Sequence, residues 1–246
     1  MTSVAQNFAQ IRDRMERAAS RAGRRVEEIT LIGISKTHAA DQIREAYEAG
    51  VRHFGENRIQ EWESKKDALT DLSASWHMVG HLQSNKAARA ARMFGSIDSI
   101  DGMVLAERLD REKKTYEEER NGRDSAARSA SGGRLRVLIE VKLDAGTTKS
   151  GVSCEDLPTL AKAVTGLHHL ELAGLMVVPP YFEEAEQARP YFRRLRELRD
   201  TLRKQSGEPS LLVLSMGMSH DFEIAIEEGA TEIRVGTALF GERPKA

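Results

Sequence analysis

Residues 31–37 read Leu31-Ile32-Gly33-Ile34-Ser35-Lys36-Thr37, an apolar run that stops on a lysine just before a helical pattern opens at Ala39. A run this short, followed at once by helix, reads as the strand of a βα unit. The unit recurs along the chain. Further strand-like runs at 52–54, 76–79, 97–100, 135–143, 170–178, 211–214 and 232–235 alternate with helical stretches at 39–49, 57–68, 85–94, 103–119, 156–165, 183–204 and 220–228. Ahead of them Val4, Phe8, Ile11, Met15 and Ala18 or Ala19 recur at helical spacing, so an amphipathic helix ending near Gly23 precedes the first strand. Strands separated by helices require right-handed crossovers and a parallel sheet. Eight such units in 246 residues predict an α/β fold, a single (β/α)8 TIM barrel with an extra N-terminal helix. An open doubly wound sheet is the competing architecture. The stretch 121–133, rich in Gly, Ser and Ala, breaks the metre and is expected as a mobile surface insertion in one domain spanning 1–246.

Composition narrows the function. A formal charge of -1 leaves no electrostatic footprint for nucleic acid or an anionic membrane, so neither is an expected partner. Cys154 is the single cysteine, which excludes an intramolecular disulfide and a cysteine-built metal site and suits a reducing compartment. The N-terminal region, with Arg12, Asp13, Arg14, Glu16 and Arg17, holds no signal-like or membrane-length apolar run. The expected location is the cytoplasm.

In a barrel of this kind the site lies at the C-terminal ends of the strands, and phosphate commonly binds between the loops after strands seven and eight. Those loops read Ser215-Met216-Gly217-Met218-Ser219-His220-Asp221 and Gly236-Thr237-Ala238-Leu239-Phe240-Gly241. Gly217 and Gly236 let the backbone approach a ligand, each loop leads into a helix start, and Ser215, Ser219 and Thr237 offer hydroxyl donors. Ser219 has a rival duty as the cap of the seventh helix, with Asp221 in its first turn. Arg234, between Ile233 and Val235, faces the barrel interior if its neighbours face the helices. A buried guanidinium needs an acceptor. An ion pair with Glu140 is one explanation and a ligand is the other. At the mouth of strand one, a desolvated Lys36 would keep part of its amine neutral and able to form a Schiff base. A solvated lysine ending a strand is the alternative there.

The blocks Ile34-Ser35-Lys36-Thr37, Phe54-Gly55-Glu56-Asn57, Trp76-His77-Met78-Val79-Gly80-His81-Leu82-Gln83-Ser84-Asn85-Lys86, Lys149-Ser150-Gly151, Gly174-Leu175-Met176, Leu214 to Ser219 and Arg234 to Gly241 resemble the signatures of the pyridoxal phosphate homeostasis protein family. The resemblance runs from about Leu31 to Arg243 and implies an alanine racemase N-terminal type barrel holding pyridoxal 5'-phosphate (PLP) as an internal aldimine on Lys36. It further implies that Ser215, Gly236 and Thr237 hold the phosphate, that Arg234 faces the pyridine nitrogen, and that Asn57, Met216 and Ser219 line the pocket. Lys149 matches a second lysine near the site. Where many members carry another lysine two residues after the Schiff-base lysine, this chain has His38. His77 and His81 are expected as wall residues, and Cys154 as a passive thiol.

Arginine at the pyridine nitrogen only donates, so it weakens the ring as an electron sink and disfavours transamination. Racemisation needs a base on each face of the bound amino acid, and Lys36 supplies one. Of Tyr47, Tyr116, Tyr181 and Tyr191, only Tyr181 is placed by sequence near the rim. The implied role is therefore a non-catalytic, monomeric PLP carrier that stores the cofactor or delivers it to PLP-dependent apoenzymes in vitamin B6 homeostasis. A weak PLP-dependent amino-acid racemase is the alternative, and a cofactor-free Schiff-base aldolase on a sugar phosphate is the third reading.

Overall fold

Eight parallel strands close on themselves in sequence order, and the closure brings the first and last strands together. The computed structural model describes residues 3–123, 133–144, 150–207 and 210–242, with no side chains described for 121–123. The strands are β1 (Thr30–Ile34), β2 (His53–Glu56), β3 (Ser75–Met78), β4 (Ser96–Ile100), β5 (Leu135–Glu140), β6 (Leu170–Met176), β7 (Val213–Ser215) and β8 (Glu232–Val235). The helices are α1 (Val4–Arg21), α2 (Ala40–Ala49), α3 (Ile59–Glu63), α4 (Ala87–Met93), α5 (Met103–Arg123), α6 (Leu157–Thr165), α7 (Arg189–Ser206), α8 (Phe222–Glu227) and a single turn, α9 (Thr237–Phe240). No helix among the described residues is long and apolar enough to cross a membrane.

The opening helix starts where chemistry sets it. Ser3 Oγ accepts from the Gln6 amide at 3.2 Å while Gln6 Oε1 accepts from the Ser3 amide at 3.0 Å, a reciprocal cap. Its buried face is Val4, Ile11, Met15, Ala18 and Ala19, as the periodicity predicts. Arg14 reaches Glu223 at 2.7 Å and Arg21 reaches Glu227 at 2.7 Å, so α1 is laid against α8 across the β8–β1 seam. Asn7 Nδ2 also donates to the Leu239 carbonyl at 2.9 Å, which fixes α9 beside the site.

Most of the core lies between strands and helices. Trp62 of α3 packs tilted against Trp76 of β3 with centroids 3.8 Å apart, and Phe54 of β2 stacks on the same indole at 5.2 Å. Truncating Trp76 there would cost about 3–5 kcal/mol. Inside the barrel the middle is apolar, with Leu138, Ala173 and Met176. The end holding the strand starts is charged instead. Arg136 of β5 donates to Ser96 Oγ of the neighbouring β4 at 2.8 Å and reaches across to Glu232 of β8 at 2.5 Å, a contact possible only through the interior because β5 and β8 are not neighbours. His77 Nδ1 lies 3.1 Å from Asp98 Oδ2, and His53 Nδ1 lies 3.0 Å from His77 Nε2.

Several boundaries differ from the sequence expectation. The strand predicted over 135–143 stops at Glu140, beyond which Val141 keeps only a single bridge to Val152. The helix predicted over 57–68 is broken into α3 and a 3-10 turn, Lys66–Leu69, because Lys65 leaves helical geometry and turns inward. Similarly, 183–204 resolves into a 3-10 turn, Ala185–Ala188, and α7, whose first turn carries Pro190. The first residues of the expected 121–133 insertion belong to α5, and nearly all the rest of it lies outside the described residues.

Candidate functional site

At the C-terminal ends of the strands a cleft of about 330 Å³ is lined by Lys36, Asn57, Ser219, Arg234, Gly236 and Thr237, together with Ile34, Val79, Val178, Tyr181, Met218 and His220. Its elements are β1, β2, β3, β6, β7 and β8, which is why residues two hundred positions apart meet there.

Arg234 enters from β8, buried at 5% exposure, because period-two alternation turns Arg234 and Glu232 to the interior while Ile233 and Val235 pack outward. Its Nη1 donates to Ser215 Oγ at 2.8 Å and its Nη2 to the Val177 carbonyl at 2.7 Å. Glu140, expected from the sequence as one ion-pair partner, instead accepts from Ser150 Oγ at 3.2 Å. Among the described residues no carboxylate forms an ion pair with Arg234. Burial pulls its pKa down, opposed by the more distant charges of Asp98, Glu140, Asp221 and Glu232. Burial likewise pushes Glu140 and Asp221 above the ordinary carboxylate range.

Lys36 is half-buried at the end of β1, between Ser35, which is fully buried, and Thr37, whose φ is 66°. The loop after β7 contributes Met218, Ser219 and His220 to the lining. Gly217 has φ 91°, and a Cβ there would sit 2.6 Å from Ala225 Cβ, so the turn admits only glycine without a shift. Gly236, by contrast, has φ -109°, and a Cβ would meet nothing closer than Ile34 Cβ at 3.4 Å. The space beside it belongs to the cleft. Ser219 Oγ accepts from the Ala238 amide at 3.2 Å, so it ties the loop after β7 to the loop after β8. The cap position of α8 falls to Asp221, whose Oδ1 accepts from the Met218 amide at 2.6 Å.

Ser215 and Met216 are both fully buried beneath the cleft. The Ser215 hydroxyl faces inward to Arg234, and alternation sends Met216 to the opposite side, into the core between barrel and helices. His38 is 7% exposed, with Nδ1 3.2 Å from Gln42 Oε1 and its ring stacked on Phe240 at 4.7 Å. His77 belongs to the charged network at the far end of the barrel, and His81 is exposed with Nδ1 3.1 Å from Asp101 Oδ2. Cys154 Sγ lies 4.0 Å from the Lys142 carbonyl, and Lys149 lies outside the described residues.

The apolar lining residues Ile34, Val79 and Val178 escaped the sequence reading, although each sits at or just beyond a strand end where side chains reach the barrel mouth. His220 was also missed as a lining residue. Its ring is 5.6 Å from that of Tyr181, which is 77% exposed at the rim.

The alanine racemase N-terminal domain family matches residues 6–244. The pyridoxal phosphate homeostasis protein of Aquifex aeolicus (strain VF5) is 41% identical over 241 residues, covering 98% of this chain and 99% of that protein. That of Pseudomonas aeruginosa is 41% identical over 243 residues, with 99% and 97% covered. Among solved structures, PipY of Synechococcus elongatus PCC7942 with PLP bound superposes with a TM-score of 0.77 at 40% identity, covering 93% of this chain and all of that one (100%).

Proposed function

This chain belongs to the pyridoxal phosphate homeostasis proteins of the alanine racemase N-terminal domain family, and from that premise we propose that it holds PLP in the cleft at the strand ends, for storage or delivery to apoenzymes, without catalytic turnover. The observation that carries this reading is the pairing of Lys36 with Arg234 in one cleft. A guanidinium fixed by Ser215 and Val177, with no ion-pair partner among the described residues, fits a neutral aromatic nitrogen, an acceptor that asks for a donor and not for a counter-charge.

PLP supplies an aldehyde that an amine captures reversibly, with release of water. Lys36 is the amine placed to do so. Asn57 lines the same cleft, and Ile34, Val79 and Val178 give its lining an apolar part. Gly236 leaves room for the phosphate, Thr237 adds a hydroxyl, and Ser219 holds the two phosphate-side loops together while its own proton stays free to donate. Ser215 and Met216 act from below, the first by orienting Arg234 and the second by filling the core under the loop. The protein works as a cytoplasmic monomer, and light scattering of the purified chain tests its mass in solution.

A mixture of PLP-loaded protein with an apo-aminotransferase tests delivery. Recovery of aminotransferase activity matched by loss of visible absorbance from the donor supports the reading, and retention of the colour with no recovery contradicts it. One observation favours a second reading, weak racemisation: Tyr181 and His220 both line the cleft and supply proton-transfer groups besides Lys36. Deuterium uptake at Cα of added amino acids in heavy water, lost in Tyr181→Phe, would establish it.

A further inference from the structure

Residues 57–68 carry an unbroken helical pattern, yet the helix stops at Glu63 and Lys65 adopts φ -126° and ψ -12°. The break drives its side chain inward to 9% exposure, an unusual place for a lysine. There Nζ lies 2.7 Å from Glu56 Oε1, 2.7 Å from the Ser35 carbonyl and 3.3 Å from the His38 carbonyl. An ammonium has three protons to give, and these are three acceptors. Ser35 Oγ donates to the same Glu56 oxygen at 2.6 Å, so backbone and side chain of Ser35 are both held.

The two carbonyls bracket Lys36 and Thr37. Thr37 is the sole non-glycine residue with positive φ among those described, a conformation that persists only where surroundings enforce it. Its amide donates to Glu61 Oε2 of α3 at 3.1 Å. The whole turn bearing the cofactor lysine is thus gripped from the β2–α3 unit: Lys65 from beneath, Glu61 from the flank.

We propose that Lys65, with Glu56 as its buried counter-charge, is a positioning residue that fixes the Lys36 turn and thereby sets how fast PLP leaves. Neither side chain lines the cleft, so both act through the turn. The inference rests on the PLP reading above. Release requires water to cleave the carbon–nitrogen bond and return the aldehyde and the amine. Loosening the turn lets the freed Lys36 amine stray from the position for recapture, which slows capture and speeds net release. Among the described residues Glu56 Oε2 has no partner, while Oε1 accepts from both Lys65 and Ser35, so losing Lys65 leaves Ser35 alone on the buried carboxylate.

The test compares wild type with Lys65→Met and with Lys65→Met/Glu56→Gln, the second of which leaves no buried unpaired charge. Release of PLP from the loaded full-length protein is followed by visible absorbance with an excess of a carbonyl scavenger, and borohydride trapping locates the adduct. Both variants are expected to release PLP about tenfold faster, as the loss of one charged hydrogen bond implies, with the adduct still on Lys36. A release rate equal to wild type, with Lys36 trapped normally, overturns the pin and leaves the PLP reading standing. Absence of a Lys36 adduct in wild type overturns the PLP reading instead. Should neither Lys65 variant fold, Glu61→Gln, at a partly exposed position, reports on the same grip: release about threefold faster supports it, consistent with a weakened charged acceptor, and an unchanged rate refutes it.

Discussion

Arg234 Nη1 donates to Ser215 Oγ at 2.8 Å, a bond made entirely inside the barrel, one step below the cleft. Together with the Val177 carbonyl on Nη2, it aims a cation whose pKa burial pulls down. Replacing Ser215 by Ala removes the acceptor while keeping the volume nearly unchanged. The expected loss is about 1–3 kcal/mol of stability, with weaker PLP binding beside it. Urea denaturation and PLP titration of the same preparation measure both, and unchanged affinity would show that the orientation of Arg234 is immaterial.

Gly236 separates fold from binding. A methyl group there meets only Ile34 at ordinary contact distance, and its φ is open to alanine. Gly236→Ala is expected to keep its unfolding midpoint, within about 1 kcal/mol, while losing about 1–3 kcal/mol of PLP affinity through overpacking of the phosphate side. Equal affinity would place the phosphate elsewhere.

The opposite end of the barrel carries stability. Arg136 sits between Glu232 at 2.5 Å and Asp98 at 3.7 Å, both buried. Burial pushes Glu232 above the ordinary carboxylate range, whereas His77 and Arg136 overcome burial to hold Asp98 below it. Arg136→Met leaves the carboxylates without their cation and should cost about 3–5 kcal/mol, read from chemical denaturation. The PLP-loaded variant at neutral pH should still trap its cofactor on Lys36, since the network does not line the cleft.

The same network gives stability a pH dependence. Burial, then His77 and Arg136, lower the His53 pKa from 6.5 to about 4. The unfolded chain therefore binds a proton that the folded one refuses, so this contribution is intact above pH 6.5 and is lost as pH falls toward 4. Glu56, Glu140 and Glu232, with raised pKa values, push the other way, so the wild-type curve alone is ambiguous. The difference between wild type and His53→Gln isolates it: wild type should lose stability relative to the variant between neutral pH and pH 4.5, and a parallel pair of curves would contradict the assignment.

Strand count and order were legible because each βα unit must bury one strand and one helix face, which leaves the alternation in the sequence. Lys36, Ser219, Arg234, Gly236 and Thr237 were expected near one another because a barrel gathers its strand ends, and Asn57 because of the family resemblance; all six line one cleft. The depth of each residue was not. Ser215 and Met216 precede the first lining residue of their loop, Met218, by three and two residues and are fully buried, a distinction set by the pleat and by the direction of Arg234. Nor was Lys65 legible: the helical period runs straight through it, and its inward partners, Glu56 and the carbonyls of Ser35 and His38, come together only in the fold. His38 shows the same limit, because its stacking partner Phe240 lies at the other end of the chain.

The most direct measurement is mass spectrometry of the protein after PLP addition and borohydride reduction, mapped by peptide, for wild type and Lys36→Ala. A phosphopyridoxyl group on Lys36, absent from the variant, is the predicted result. No adduct in wild type, or one that forms equally on another lysine when Lys36 is gone, would contradict the cofactor site described above.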